Sequence, residues 1–240
     1  MACEKEKASV DEIRRRFDAD VARFSNLETG QTSTVDAALA MRLACDAAAR
    51  TTPRATALLD IGCGAGNYSL SLLQRLPALD VTLLDLSAAM LDRARERVSS
   101  ATSGQVTTLQ ADIREAEFSS ASFDLIVASA SLHHLRADTE YQAVFQKCFA
   151  ALRPGGSFWI VDLVTHEIPA VQNLLWERYG EYLSALKGDQ SRDEIFAYIE
   201  REDTPRPVSS QLAWLRAAGF SAVDVLHKNT CFATFGAVKI

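Results

Sequence analysis

Long apolar runs, paired cysteines and an excess of positive charge are all missing from this chain of 240 residues. No uncharged apolar stretch approaches the roughly 18 residues of a membrane-spanning helix, so no span is expected. Met1 to Lys7 is charged and has no apolar centre, so no secretory signal is expected there. Lys and Arg number 25 against 31 Asp and Glu, a net charge of −6. That balance excludes a global basic field for nucleic acid and leaves room only for a local patch. The five cysteines, Cys3, Cys45, Cys63, Cys148 and Cys231, form no CxxC pair and no zinc spacing. They read as reduced thiols of a cytoplasmic protein. What is present is ordinary for a globular chain: 48% hydrophobic and 23% charged residues, enough to bury one sizeable core with an appended cap.

Apolar residues at Val10, Ile13, Phe17, Val21 and Phe24 step by three or four, so a helix is expected over 10–24. Its stripe reads as core packing ahead of a substrate wall. Arg14-Arg15-Arg16 reads as its solvated face. A polar loop over 26–34 leads to an alanine-rich helix over 36–50, stopped at Thr51-Thr52-Pro53. Short apolar runs at 57–61, 81–85, 106–110, 123–128 and 157–162 then alternate with helical stretches at 67–76, 88–98 and 139–152. That alternation argues for a parallel sheet covered on both faces. A helix from Ser209 or Ser210 to Gly219 precedes two strands, 222–227 and 231–238. Only Lys228-Asn229-Thr230 separates them, so they must pair antiparallel. An insertion over about 163–208 carries a helical stripe through Ile168, Val171, Leu175, Tyr179, Tyr182 and Leu186. A shorter helix over 193–200 and the stiff connector Thr204-Pro205-Arg206-Pro207 complete it.

The chemistry concentrates in Asp60-Ile61-Gly62-Cys63-Gly64-Ala65-Gly66, which closes a strand and opens a helix. Glycines there let the backbone turn tightly and approach a ligand, and the helix start offers free N–H groups. A dinucleotide fingerprint needs GxGxxG, whereas the spacing here is GxGxG followed by Asn67. Asp60 would repel a pyrophosphate and attract an amino group, which favours a nucleoside bearing an amino acid. Asp85 ends the second strand 25 residues further on, where a carboxylate can accept from a ribose diol or cap the next helix. Asp112 follows the third strand, where it can accept from an adenine amino group beside the Ile113 N–H, or simply make a turn.

These residues resemble the class I S-adenosylmethionine-dependent methyltransferases, over about 55–162 and the terminal hairpin. Leu58 to Gly66 resembles the family's first motif, and Leu84-Asp85-Leu86-Ser87 with Met90 its second. Asp112-Ile113 is similar to the adenine site, Phe123 to Val127 to the fourth strand, and Leu152-Arg153-Pro154-Gly155-Gly156 to the turn into strand five. The resemblance implies an α/β, Rossmann-like three-layer sandwich: a mostly parallel seven-stranded sheet with an antiparallel C-terminal hairpin strand. It implies a helical cap over 1–54 and a methyltransferase domain over 55–240, whose insertion at about 163–208 covers the substrate. It implies S-adenosyl-L-methionine as cofactor. Gly62 and Gly64 would pass under its methionine part, which the backbone of Ala128 or Ser129 would meet, and Asp60 and Cys63 of the same turn count among the cofactor-binding residues. Asp85 would hold the ribose, Leu86 and Met90 would pack on adenine, and Asp112 and Ile113 would bind its edge. A weaker resemblance exists to relatives that make or use carboxy-S-adenosylmethionine for tRNA wobble uridine.

His133 and His134, in the segment leaving the fourth strand, are the catalytic candidates for taking a proton from an acceptor, His133 slightly preferred. His166 is an outside candidate, and Arg23, Tyr68, Trp176 and Tyr179 could line a substrate chamber. No metal site is expected, because His133 and His134 are adjacent and no Cys or acid cluster accompanies them by spacing. The expected partner is a small-molecule methyl acceptor. No membrane partner is expected, bulk nucleic acid is disfavoured by charge, and tRNA and a homodimer stay open. A binding module without turnover and a nicotinamide oxidoreductase are the competing classes.

Overall fold

The computed structural model describes residues 7–26 and 31–240. Cys3 and residues 27–30 of the loop expected over 26–34 therefore lie outside the described residues. Seven strands form one sheet: β1 (Ala57–Ile61), β2 (Asp80–Asp85), β3 (Val106–Gln110), β4 (Phe123–Ser129), β5 (Leu152–Leu163), β6 (Ala222–Asn229) and β7 (Phe232–Val238). Their order is β3-β2-β1-β4-β5-β7-β6. The first five run parallel, and β7 lies antiparallel between β5 and β6. The hairpin turn is one residue shorter than the sequence suggests. β6 continues to Asn229, and Thr230 adopts a left-handed φ of 48° before β7. The order reverses between β1 and β4, so the crevice for a ligand opens at the carboxyl ends of those two strands.

Alternate side chains of the central strands feed two separate cores. Leu59, Ile61 and Ile126 point to the side covered by α6 (Asp138–Ala151) and α9 (Val208–Ala218). Leu58, Leu125 and Val127 point to the side covered by α3 (Ala37–Thr51), α4 (Asn67–Leu73) and α5 (Ala88–Ser99). The small residues Ala40, Ala44 and Ala48 let α3 lie close to the sheet in one cluster with Trp159 and Val161. Thus α3, grouped by sequence with the N-terminal cap, is a structural layer of the sandwich.

What covers the carboxyl edge is α1 (Val10–Ala19), the one-turn α2 (Val21–Phe24), α7 (Pro169–Lys187) and α8 (Asp189–Glu202). The continuous helix expected over 10–24 breaks at Asp20, whose φ of −106° and ψ of 12° are not helical. α1 starts at a reciprocal cap, with Glu12 N–H donating to Ser9 Oγ and Ser9 N–H to Glu12 Oε2. α7 and α8 pack through Trp176 stacked on Phe196, ring centroids 4.6 Å apart. The hydroxyls of Tyr179 and Tyr182 tie this pair to the main-chain carbonyls of Ser33 and Thr32. Among the described residues no helix is long and apolar enough to cross a membrane.

Candidate cofactor and acceptor site

β1 delivers Asp60, 1% exposed, to the floor of the crevice, where it accepts a hydrogen bond of 2.6 Å from Ser69 Oγ. Burial pushes its carboxyl up to about 7 against the opposing hydrogen bonds of Ser69. Gly62 and Gly64 follow with φ of 63° and 49°. Asp85 closes the loop from the other side: Oδ2 accepts the Gly64 N–H and Oδ1 the Ser87 N–H, both at 2.9 Å. Burial likewise raises the Asp85 carboxyl. Ser87 Oγ caps α5 by accepting the Met90 N–H at 3.1 Å. A carboxylate has about four acceptor sites, so Asp85 keeps capacity for a diol after building the loop.

The two glycines differ in what they face. A Cβ on Gly62 would lie 2.5 Å from Ser131 Cβ, whereas one on Gly64 would meet nothing within 4 Å. Both pay about 1–2 kcal/mol for a left-handed backbone with a side chain. Gly62→Ala is therefore expected to lower the melting temperature markedly. Gly64→Ala is expected to stay folded yet lose S-adenosylhomocysteine binding, because its methyl enters the crevice. Thermal unfolding and calorimetry on the pair check this; equal behaviour of the two variants would contradict it.

The crevice encloses a cavity of about 250 Å³. Asp60, Gly62, Cys63, Gly64, Asp85, Leu86, Met90, Asp112, Ile113 and Ser129 all line it. The Asp112 carboxylate is also gripped by Arg114, with Nη2 at 2.6 Å, and Arg114 reaches on to Glu140 at 3.1 Å. Burial acts to raise the Asp112 carboxyl, but Arg114 outweighs it and holds the group below its usual range. Both of its oxygens accept from Arg114, so the carboxylate that lines the cavity is already engaged.

A second cavity of about 290 Å³ adjoins the first and shares with it Phe17, Phe24, Gln31, Tyr68, Ser129 and Ala130. Ala130 holds a left-handed φ of 48°, a strained conformation for a residue with a side chain, where the chain turns between the cavities. Arg23, Tyr68 and Tyr179 line the second cavity. Trp176 lines neither and belongs to the α7–α8 packing. His166 is bound to Gln172 and Lys228 away from both. The stripe of α1, expected to be core, is largely wall: Ile13 and Phe17 face the first cavity, and Phe17 and Arg16 the second. Arg16 is no solvated charge. It donates to Glu202 Oε2 at 2.9 Å and to the Tyr198 hydroxyl at 2.8 Å, stacked over Phe17. Asn67 Nδ2 donates to the Phe24 carbonyl at 2.9 Å and Ser87 Oγ to Asp18 at 2.5 Å, which tie the first helices to the crevice.

His133 and His134 form a 3₁₀ turn, Leu132–His134, between the cavities. His134 lines the first and His133 the second. The fold brings two carboxylates to them that spacing does not reveal. Asp162, at the end of β5, accepts from the His133 N–H at 3.1 Å and pairs with its Nδ1. Asp203, just after α8, places Oδ1 3.1 Å from His134 Nδ1 and 3.7 Å from His133 Nε2. Burial opposes the charged form of His133, but Asp162 and Asp203 outweigh it and raise the imidazole to about 9. Burial and the neighbouring His133 push His134 the other way. The sequence reading missed both: the position of Asp162 near the carboxyl end of a strand is a signal that could have found it, and nothing local marks Asp203.

A methyltransferase domain model matches residues 58–156. An uncharacterized methyltransferase of Mycobacterium tuberculosis is 37% identical over 119 residues, 50% of this chain and 55% of that protein. The chain thus spans about half the length of that curated relative. A carboxy-S-adenosyl-L-methionine synthase of Trichlorobacter lovleyi is 29% identical over 185 residues, 75% of each chain. The structure of the Burkholderia thailandensis 1,6-didemethyltoxoflavin-N1-methyltransferase, solved with 1,6-didemethyltoxoflavin and S-adenosylhomocysteine, shares the fold. It superposes with a TM-score of 0.65 at 18% identity, covering 99% of this chain and 93% of that one. Residues 58–156 thus match a methyltransferase domain, and the sheet order and glycine crevice support a class I S-adenosylmethionine-dependent methyltransferase.

Proposed function

We propose that this protein transfers the methyl group of S-adenosylmethionine to a small molecule seated in the second cavity. The observation that carries the reading is the junction of the two cavities at Ser129, Ala130 and Tyr68. The crevice fits the cofactor's chemistry: Asp60 suits an ammonium, Asp85 a ribose diol, and the missing Cβ of Gly64 leaves room for the chain of the ligand. When bound, the cofactor supplies a methyl group already activated by its sulfonium. The protein's task is then alignment, which can contribute about 7–11 kcal/mol, more than the roughly 3–5 kcal/mol of a general base. Phe17, Phe24 and Tyr68 exclude water at the junction, and His133 and His134 stand in its walls as catalytic candidates. His134 lines the first cavity, and its Nε2, buried and without a hydrogen-bond partner among the described residues, would offer a hydrogen bond to a reacting heteroatom that reaches across the junction. A chamber of about 290 Å³ suits a metabolite rather than a nucleic acid. Four buried, unpaired thiols support a reducing, cytoplasmic setting.

Incubation with methyl-labelled S-adenosylmethionine and fractionated small metabolites tests the proposal. The expected result is label in a small organic product, abolished by Gly64→Ala. S-adenosylhomocysteine binding with no labelled product from any fraction would instead identify a binding module. A second reading, carboxy-S-adenosylmethionine chemistry, is favoured by the likeness to the synthase over three quarters of both chains. Mass spectrometry of ligand carried through purification separates the two, since the carboxylated cofactor is heavier.

A further inference from the structure

The grouping of His133, His134 and Asp203 is not explained by pairing alone. Asp203 is 4% exposed, and its Oδ1 is buried with no hydrogen-bond partner among the described residues. The nearest donors, His134 Nδ1 at 3.1 Å and His133 Nε2 at 3.7 Å, face it without hydrogen-bond geometry. The other contact of His134 Nδ1 is a long 3.4 Å approach to the Glu202 carbonyl. A buried carboxylate oxygen left unsatisfied costs roughly 1–3 kcal/mol or more, so something should occupy the space between these atoms.

We propose that His133 Nε2, His134 Nδ1 and Asp203 Oδ1 form a binding site for one divalent first-row transition-metal ion, its open coordination position facing the second cavity. The three side chains offer ligand atoms that all lie within 4.8 Å of one another. Metal–nitrogen and metal–oxygen bonds of about 2.0–2.2 Å in a tetrahedral site put neighbouring ligands about 3.4 Å apart. The measured 3.1 and 3.7 Å bracket that edge. Two imidazoles and a carboxylate suit zinc, cobalt, nickel or iron(II) better than magnesium or calcium. The outer contacts fit as well. Asp162 engages His133 Nδ1, the arrangement that directs the opposite nitrogen of a histidine at a metal. Metal ligation would require both imidazoles to be neutral, and Asp162 and Asp203 would then carry two negative charges, which a divalent ion balances in a dry setting. The nearby Arg16 is already matched by Glu202. His133 and Asp203 both line the second cavity, so a fourth ligand would come from that side. An oxygen-bearing acceptor could bind there. Only this last point rests on the proposed function; metal binding is read without acceptor or cofactor.

The test uses the full chain, stripped with a chelator and titrated with Zn²⁺ by calorimetry and with Co²⁺ by visible absorption. The expected result is one metal ion per chain and the intense absorption of low-symmetry Co²⁺. Asp203→Asn and His134→Gln should each lower affinity by at least about 100-fold. Asp162→Asn, which touches no metal, should weaken it about 10–100-fold. Far-UV circular dichroism and thermal unfolding monitor folding of every variant. X-ray absorption of the zinc-loaded wild type should show nitrogen and oxygen neighbours without sulfur, which keeps the proposal testable if a variant fails to fold. No stoichiometric binding of either ion would overturn it. So would binding that survives Asp203→Asn and disappears in His166→Ala, which would place the ion on the surface.

Discussion

Asp85→Ala is expected to weaken S-adenosylhomocysteine binding by about 100-fold or more, the largest single effect of any side chain in the crevice. The carboxylate does two things at once. Its Oδ2 and Oδ1 each hold a main-chain N–H, of Gly64 and Ser87, and so fix the loop that approaches the ligand. Its remaining lone pairs face the cavity, where a ribose diol would donate twice. Hydrogen bonds to a charged group are worth about 1.5–3 kcal/mol each, and losing two gives the expected factor. The variant also strands two N–H groups. The gain from removing a buried carboxylate offsets part of that cost, leaving a net loss of stability of about 1–3 kcal/mol. Ser87→Ala is the comparison. It removes the α5 cap, worth about 1 kcal/mol, and the tie to Asp18, but leaves the carboxylate in place, so affinity should fall far less than in Asp85→Ala. Calorimetry and thermal unfolding on both variants check this. Wild-type affinity in Asp85→Ala would sink the assignment.

Affinity for S-adenosylhomocysteine should fall about tenfold for each pH unit below about 7 and level off above it, because of Asp60. Burial holds this carboxyl near 7, and a bound ammonium group favours its ionised form, so binding must expel the proton at low pH. Titrations in buffers of different ionisation enthalpy should show release of about 0.9 proton per ligand near pH 6 and about 0.1 near pH 8. The sign for stability is opposite. The folded-state value lies above the unfolded one, so Asp60's contribution is fully present below about pH 4. It is lost as pH rises through 7, at a cost of roughly 4 kcal/mol. Asp60→Asn keeps an acceptor for Ser69 and removes this penalty. It should raise the stability of the ligand-free protein near pH 8 while abolishing the pH-dependent part of binding. Proton release unchanged in Asp60→Asn would show that another group carries the linkage.

The cofactor crevice was legible because its chemistry is local. Asp60, Gly62 and Gly64 sit on alternate positions of one strand-to-helix turn, and Asp85 and Asp112 sit at the ends of the next two strands. The sheet was legible from apolar runs alternating with helices, and its antiparallel edge from the few residues between β6 and β7. The acceptor side was not, because it is assembled from distant segments. Asp162 and Asp203 reach the histidines only after β5 lines up beside β4 and α8 folds back over the sheet. The role of the α1 stripe was hidden for a related reason. A wall of Ile13 and Phe17 has the same spacing as a core face, and only the break at Asp20 turns Phe24 back over the crevice. Arg16 looked like one of three solvated arginines because its partners, Glu202 and Tyr198, lie at the far end of the chain.

The central claim is that a glycine turn framed by Asp60 and Asp85 holds a thioether nucleoside that carries an amino acid. Titration of the wild-type protein with S-adenosylhomocysteine and, separately, with NADH near pH 8 addresses it most directly. One saturable site for the thioether and no heat from the dinucleotide is the expected result; saturation by NADH with no response to S-adenosylhomocysteine would contradict it.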